Sequence, residues 1–229
     1  MIELANIDIK YEGRTVLAVE RLRFEAGKCY ALLGANGSGK TTLLRTIVGN
    51  ITPGPGSVVF RPGLRTDDIG YMPQKPYAFG FSVWRNVAMA LPWGTDKRRA
   101  KERAYAALGQ VGMEGFAEQR GNRLSGGEQQ RMAFARMIVR DRRLLLLDEP
   151  TSATDIAGND LVEEALKKYR ESTGCTIIFA SHSLPQAMRL ADQALLLDDG
   201  LIIESGPVSR VILQPESERG KAFLQHWRV

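Results

Sequence analysis

The sequence predicts an α/β fold, a core of buried strands interrupted by an inserted helical lobe. Three observations carry this. Strand-sized apolar runs recur at Cys29–Leu33, Leu144–Leu147 and Cys175–Ala180, as expected for central strands covered on both faces. The first run leads into Gly34-Ala35-Asn36-Gly37-Ser38-Gly39-Lys40-Thr41, a glycine-rich turn that opens a helix. From Ser82 to Arg140 the pattern becomes helical, and sheet-like sequence resumes at Leu144.

Residues 1–33 read as strands. Ile2, Leu4, Ile7 and Ile9 alternate imperfectly, followed by Val16, Leu17 and Val19 and then Cys29–Leu33. Lys40 to Val48 reads as a helix, closed by Gly49-Asn50 and the turn Pro53-Gly54-Pro55-Gly56. Ser57–Phe60 and Ile69–Met72 return to strand character. Asp96–Gln110 mixes charge with Ala104, Ala107 and Leu108, a surface helix, and Glu128–Val139 forms another after a glycine turn. The helix Asp160–Tyr169 places Leu161, Ala165, Leu166 and Tyr169 on one side. Its other side is expected to pair Glu163 with Lys167 and Glu164 with Lys168. Ala194–Leu197 and Leu201–Glu204 suggest a hairpin, and Val208–Leu213 and Glu218–Trp227 short terminal helices. The expected organisation is one domain over residues 1–229, with an α/β core at 1–75 and 140–229 and the lobe at 76–139.

A chain of 229 residues can bury a substantial core. Its longest apolar runs are strand-sized, too short to cross a bilayer. Met1-Ile2-Glu3-Leu4 begins in folded-looking sequence without a leader pattern, so the protein is expected to stay in the cytoplasm. Cys29 and Cys175 have no metal or redox spacing and read as small buried hydrophobes. The formal charge of +5 comes from local runs such as Lys97-Arg98-Arg99 and Arg140-Asp141-Arg142-Arg143. A solvated face explains these runs, with an anionic membrane surface as the rival. No aromatic stacking pattern accompanies them, which argues against nucleic acid.

The glycines at 34, 37 and 39 permit tight curvature and close approach of backbone N–H groups to phosphate. Lys40 would reach the β- and γ-phosphates, the Thr41 hydroxyl would bind magnesium and Thr42 would contact the α-phosphate. Leu144–Leu147 ends in Asp148, placed to hold the magnesium shell, and Glu149, placed to orient or deprotonate the attacking water. Ser125-Gly126-Gly127 opens another helix with amides of the same anion-binding kind. The first loop already serves its own nucleotide, so this spare surface makes sense if it faces nucleotide held by a second subunit.

These elements, in this order, resemble the ATP-binding subunit of ABC transporters over nearly the whole chain. Leu124-Ser125-Gly126-Gly127-Glu128-Gln129-Gln130-Arg131 matches that family's signature. The resemblance implies a P-loop core of ABC-ATPase type with an N-terminal antiparallel β subdomain, ATP and Mg2+ as cofactors, and a head-to-tail dimer enclosing two nucleotides. It implies nucleotide contacts from Gly34, Asn36, Gly37, Ser38, Gly39, Lys40, Thr41 and Thr42. Ser125, Gly126, Gly127, Gln130 and Asp155 would act from the second copy. Tyr11 alone reads as an ordinary tyrosine; the resemblance makes it an adenine-stacking ring. Gln74 becomes the link between the metal-water shell and the lobe, and His182 a γ-phosphate sensor that positions water beside Glu149. In Ser152-Ala153-Thr154-Asp155-Ile156, Thr154 stands where the family commonly has leucine and Ile156 where it often has proline. Those departures bear on packing at the dimer seam.

The aromatic stretch Pro76-Tyr77-Ala78-Phe79-Gly80-Phe81, followed by Val83-Trp84, either packs inside the lobe or forms a groove for a membrane subunit. The expected partners are two integral-membrane permease subunits, an extracytoplasmic solute-binding protein where the system imports, and no nucleic acid. The place of work is the cytoplasmic face of the membrane. Gln74-Lys75-Pro76-Tyr77 and Leu184–Asp192 are similar to ATPases of tungstate or molybdate importers, which favours import of an oxyanion. Efflux, lipid extraction, cell division or a non-transport ABC role are the alternatives.

Overall fold

The computed structural model describes residues 2–60 and 63–227. β1 (Ile2–Tyr11) and β2 (Arg14–Phe24) form an antiparallel hairpin, and β4 (Ser57–Phe60) adds to the outer edge of β1. Asn6 lies in the left-handed region at φ 52°. The buried face shifts parity there, so Leu4 and Ile7 both point inward. That kink explains why the alternation read from sequence is imperfect.

The other strands are β3 (Cys29–Leu33), β5 (Ile69–Met72), β6 (Leu144–Asp148), β7 (Thr176–Ser181), β8 (Gln193–Asp198) and β9 (Leu201–Pro207). The sheet order is β4-β1-β2-β9-β8-β3-β7-β6-β5. Among the described residues, Ala18 and Leu201 are the one registered pair between β2 and β9, and the antiparallel unit joins the core through a shared cluster in which Leu4, Leu17 and Phe24 meet Leu32, Leu144 and Leu195. β8, β3, β7, β6 and β5 run parallel, and every residue of β3, β6 and β7 is buried. β9 turns back antiparallel on β8, forming the expected hairpin.

The register of these parallel strands builds the site. Leu33 pairs with Ser181, Asp148 with Ala180, and Met72 with Leu147. The carboxyl ends of four strands therefore lie level, and the next residues of each emerge at one edge. This is where open α/β sheets bind ligands.

α1 (Lys40–Ile47) follows β3 and buries Leu43, Leu44 and Ile47 in a cluster that includes Leu144 and Leu146 of β6, Ile178 of β7 and Leu17 of β2. The lobe comprises α2 (Val83–Ala88), α3 (Lys97–Gln110) and α4 (Gly126–Ile138). α4 buries Met132, Phe134 and Met137 in a cluster continuous with Leu145 and Leu147 of β6. Val83 and Trp84 belong to that cluster, and the Trp84 indole N–H donates to Glu118. Of the two readings of this stretch, Val83 and Trp84 therefore follow the one in which they pack inside the lobe: α2 turns Val83 and Val87, at i,i+4 spacing, toward its interior.

α5 (Ile156–Thr173) is longer than the sequence predicts and rotated in phase. Its buried stripe contains Val162, Glu163, Ala165, Leu166 and Tyr169, whereas Leu161 is exposed. Glu164 pairs with Lys168 at 3.4 Å as expected. Glu163 does not pair with Lys167. It lies on the buried stripe and takes a two-pronged bond from Arg189 of α6 (Leu184–Leu190), at 2.8 and 2.7 Å. α7 (Val208–Leu213) and α8 (Glu218–Trp227) complete the chain. Among the described residues no helix is long and apolar enough to cross a membrane.

Candidate functional site

The loop after β3 curves through Gly37 and Gly39, both at positive φ. At Gly39, φ is 104° and an added Cβ would lie 2.9 Å from the Val16 carbonyl oxygen. Neither the conformation nor the space admits a larger residue there. The turn delivers Lys40 as the first residue of α1, buried, with its ammonium donating to the carbonyls of Gly34 (2.6 Å) and Ala35 (2.9 Å). Burial lowers its pKa, opposed by the Glu149 and Asp148 carboxylates. The amides and ammonium together make an anion cradle closed by one cation.

Thr41 follows with its hydroxyl donating to Asp148 Oδ1 at 3.0 Å. Asp148 Oδ2 is buried without a hydrogen-bond partner, as is Ser38 Oγ. Burial raises the Asp148 pKa, the Thr41 bond opposes this, and the Glu149 charge adds to it. An orphaned carboxylate oxygen beside a threonine hydroxyl, next to the glycine loop, fits a magnesium ion that takes its other ligands from phosphate and water. Among the described residues no group of three or more His, Cys, Asp or Glu side chains forms a metal cage.

Glu149 adopts φ 52°, left-handed backbone that a non-glycine residue takes only where its surroundings enforce it. Its amide donates to the Ala180 carbonyl at 3.2 Å. Gln74 Nε2, from beyond β5, donates to Oε2 at 2.7 Å. His182 Nε2, from beyond β7, contacts Oε1. Residues from three strand ends thus converge on one carboxylate, as the level register dictates.

Ser125 caps α4. Its amide and hydroxyl both donate to Glu128 Oε2, at 2.7 and 2.8 Å. Gly126 and Gly127 form the first turn of the helix, and a Cβ on Gly127 would lie 2.8 Å from the Ala153 carbonyl oxygen. The Asp155 carboxylate caps α5 by accepting from Gly158 N at 2.8 Å. Tyr11 ends β1 with its ring largely in solvent, while Asn36 and Thr42 lie on the loop and first turn of α1.

Gln130 corrects the sequence reading. Grouped there with the nucleotide contacts, it is fully buried in α4, facing away from solvent. Its Nε2 donates to the Glu149 carbonyl (2.7 Å) and Ser152 Oγ (3.1 Å), and its Oε1 accepts from Ala153 N (2.7 Å). Helix period gives the reason: Gln130 shares a stripe with the buried Ala133, Phe134 and Met137.

Gln186 went unremarked as a site residue. Buried in α6, it accepts from Ser181 Oγ (2.7 Å) and donates to Thr151 Oγ1 (2.9 Å) and Glu163 Oε1 (3.1 Å). The segment after Glu149 is therefore braced by two buried amides. In sequence, the available signal was a glutamine beside Ala187 and one turn before Leu190 on an apolar stripe.

Comparison with known proteins places this geometry. Residues 19–152 match the family described as ABC transporter. The chain is 36% identical over 208 residues to a tungstate uptake system ATP-binding protein of Peptoclostridium acidaminophilum, covering 89% of this chain and 97% of that protein. It is 37% identical over 201 residues to a zinc import ATP-binding protein of Pseudomonas fluorescens, covering 86% and 74%. Among solved structures, the ATP-binding cassette MJ0796, dimeric in a post-hydrolysis state with ADP and Pi, superposes with a TM-score of 0.82 at 26% identity. That match covers 91% of this chain and 99% of the other.

Proposed function

The chain belongs to the ABC transporter family as an ATP-hydrolysing, dimer-forming subunit, and from that premise we propose how its residues divide the work. Lys40 and the loop amides of Gly34 to Gly39 take the phosphates, Thr42 the α-phosphate, and Tyr11 stacks on adenine. Thr41 and Asp148, with Gln74 beside them, would hold Mg2+, which when bound would neutralise phosphate charge. Glu149 aligns water with the γ-phosphorus and takes its proton as the new P–O bond forms and the bond to ADP breaks. Gln74 and His182 hold the two carboxylate oxygens. Ser125, Gly126 and Gly127 grip the γ-phosphate bound by the second copy, and Asp155 lies at the seam. The convergence of Gln74 and His182 on Glu149, at the sheet edge that carries Lys40, supports this reading above all.

The work is delivered to a membrane at its cytoplasmic face. Tyr77, Phe79 and Phe81 form a ladder with ring centroids 4.8 and 5.3 Å apart, and Tyr77 and Phe81 are exposed. That apolar ridge follows Gln74 closely and suits a short helix of one permease subunit, so that the dimer's two ridges meet two permease subunits, with a solute-binding protein beyond them. Import of a small oxyanion is the favoured cargo. The zinc and tungstate relatives are equally similar, as expected where cargo is read by the partners and not by the ATPase.

Glu149→Gln tests the core of the proposal. Substitution should retain ATP binding, reduce steady hydrolysis by about a hundredfold or more, and trap an ATP-dependent dimer visible by light scattering. Hydrolysis at the wild-type rate would remove Glu149 from the water.

A further inference from the structure

Gln130 sits where two activities of one chain meet. It lies on the same helix as the Ser125–Gly127 turn, and its amide holds the backbone of Glu149. Its two hydrogens are spent on the Glu149 carbonyl and Ser152, and its oxygen on Ala153 N–H. The amide can face only one way, because reversing it would set donor against donor at Ala153. Glu149 in turn holds a backbone conformation that persists only under external constraint. Its carbonyl is a direct lever on the aim of its carboxylate.

Two further contacts make the connection stiff. Gly127 packs against the Ala153 carbonyl so closely that no side chain fits between them. From α6, Gln186 holds Thr151 and ties it to Ser181, the residue before His182. A displacement of the first turn of α4 therefore reaches Glu149 through a packed glycine and a buried amide, without an intervening flexible element.

We propose that Gln130 is a positioning residue that couples the two nucleotide sites of the dimer: it aligns Glu149 over a chain's own ATP in response to that chain's Ser125–Gly127 turn engaging the neighbour's. The inference rests on the sandwich reading above and adds to it a specific link between the sites. Without the amide, ATP still binds and still joins the subunits. Glu149 relaxes, and each site turns over slowly and without regard to the other.

The test is Gln130→Met, close in size but without the amide, beside Gln130→Glu, which keeps an acceptor for Ala153 N–H and loses the donor to Glu149. Hydrolysis is measured against ATP concentration in the full chain. ATP-dependent dimerisation is measured with each change combined with Glu149→Gln. Both variants should lower kcat by about tenfold or more through misalignment, keep KM within about twofold, and reduce the Hill coefficient to unity. A merely structural role would instead weaken ATP binding along with turnover. Wild-type kcat and cooperativity in either folded variant would overturn the proposal, as would a wild-type enzyme with no cooperativity. If Glu149→Gln dimerises but its Gln130 double variants do not, Gln130 serves the grip and the coupling role is refuted while the sandwich stands. If Glu149→Gln itself stays monomeric with ATP, the sandwich reading falls and takes this inference with it. Should Met prevent folding, Gln130→Glu carries the test alone.

Discussion

Arg189→Met isolates the ion pair that α5 and α6 share. The Glu163 side chain is only 6% exposed and accepts both prongs of the Arg189 guanidinium, whereas the Arg189 side chain is 49% exposed. Methionine keeps much of the aliphatic stem and removes the charge, so Glu163 is left with Gln186 at 3.1 Å. Breaking a fully buried pair costs about 3–5 kcal/mol; water at the half-exposed arginine reduces the expected loss here to about 2 kcal/mol. At about 2.1 cal/mol/K of unfolding entropy per residue, 229 residues give about 0.5 kcal/mol/K, so Tm should fall by about 4 °C. Urea unfolding of Arg189→Met, Glu163→Gln and the double variant should return an interaction energy of about 1–2 kcal/mol. Lys168→Met is the control, because the Lys168–Glu164 pair is exposed on both sides and should be worth less than about 0.5 kcal/mol. If Arg189→Met proved no more harmful than Lys168→Met, the buried-pair reasoning would be refuted.

Lys40→Ala should weaken ATP binding by about tenfold to a hundredfold, the worth of one or two charge-assisted bonds, and calorimetry reads this directly. Unchanged affinity would separate Lys40 from the phosphates. Burial pushes the Cys29 and Cys175 thiols up to about 12, so at pH 8 the folded wild-type chain should resist maleimide for hours and label only on unfolding. That silence makes Tyr77→Cys a clean reporter: it should label readily and cross-link to a co-purified permease. Absence of any cross-link in every nucleotide state would remove the aromatic ridge from the coupling surface.

What the sequence could and could not disclose follows from the range of each interaction. Strand placement is a local property of runs such as Leu144–Leu147, and parallel strands of similar length brought level by α-helical connections carry their next residues to one edge. Asp148 and Glu149 are therefore legible from the strand they end, whereas Gln74 and His182 gain their roles only through the family resemblance. Helix phase is a weaker signal. On α5, the sequence groups Leu161 with Ala165, Leu166 and Tyr169 and sets Glu163 on the opposite side, yet Leu161 is exposed and Glu163 buried. Glu163 is buried because Arg189, on another helix, supplies its counter-charge, and no local spacing encodes that.

The same limit governs Gln130. A residue inside a recognised motif invites assignment to the motif's ligand, yet one side of a helix cannot both meet a second subunit and pack on its own core. Ser125 lies at the helix start and is exposed, whereas Gln130 shares the buried stripe with Ala133, Phe134 and Met137. The motif thus contains two functions divided by helix period. Its first turn is exposed at Ser125, and its second holds the backbone of Glu149 and Ala153. A short string that serves both roles constrains how the lobe can move. If α4 rotated about its own axis when the dimer closes, Gln130 would lose three hydrogen bonds together, at a net cost of about 3 kcal/mol. That cost disfavours rotation of α4 independently of the Glu149–Ala153 segment, and the chain between Met72 and α2, which holds Gln74, is the other covalent entry to the lobe.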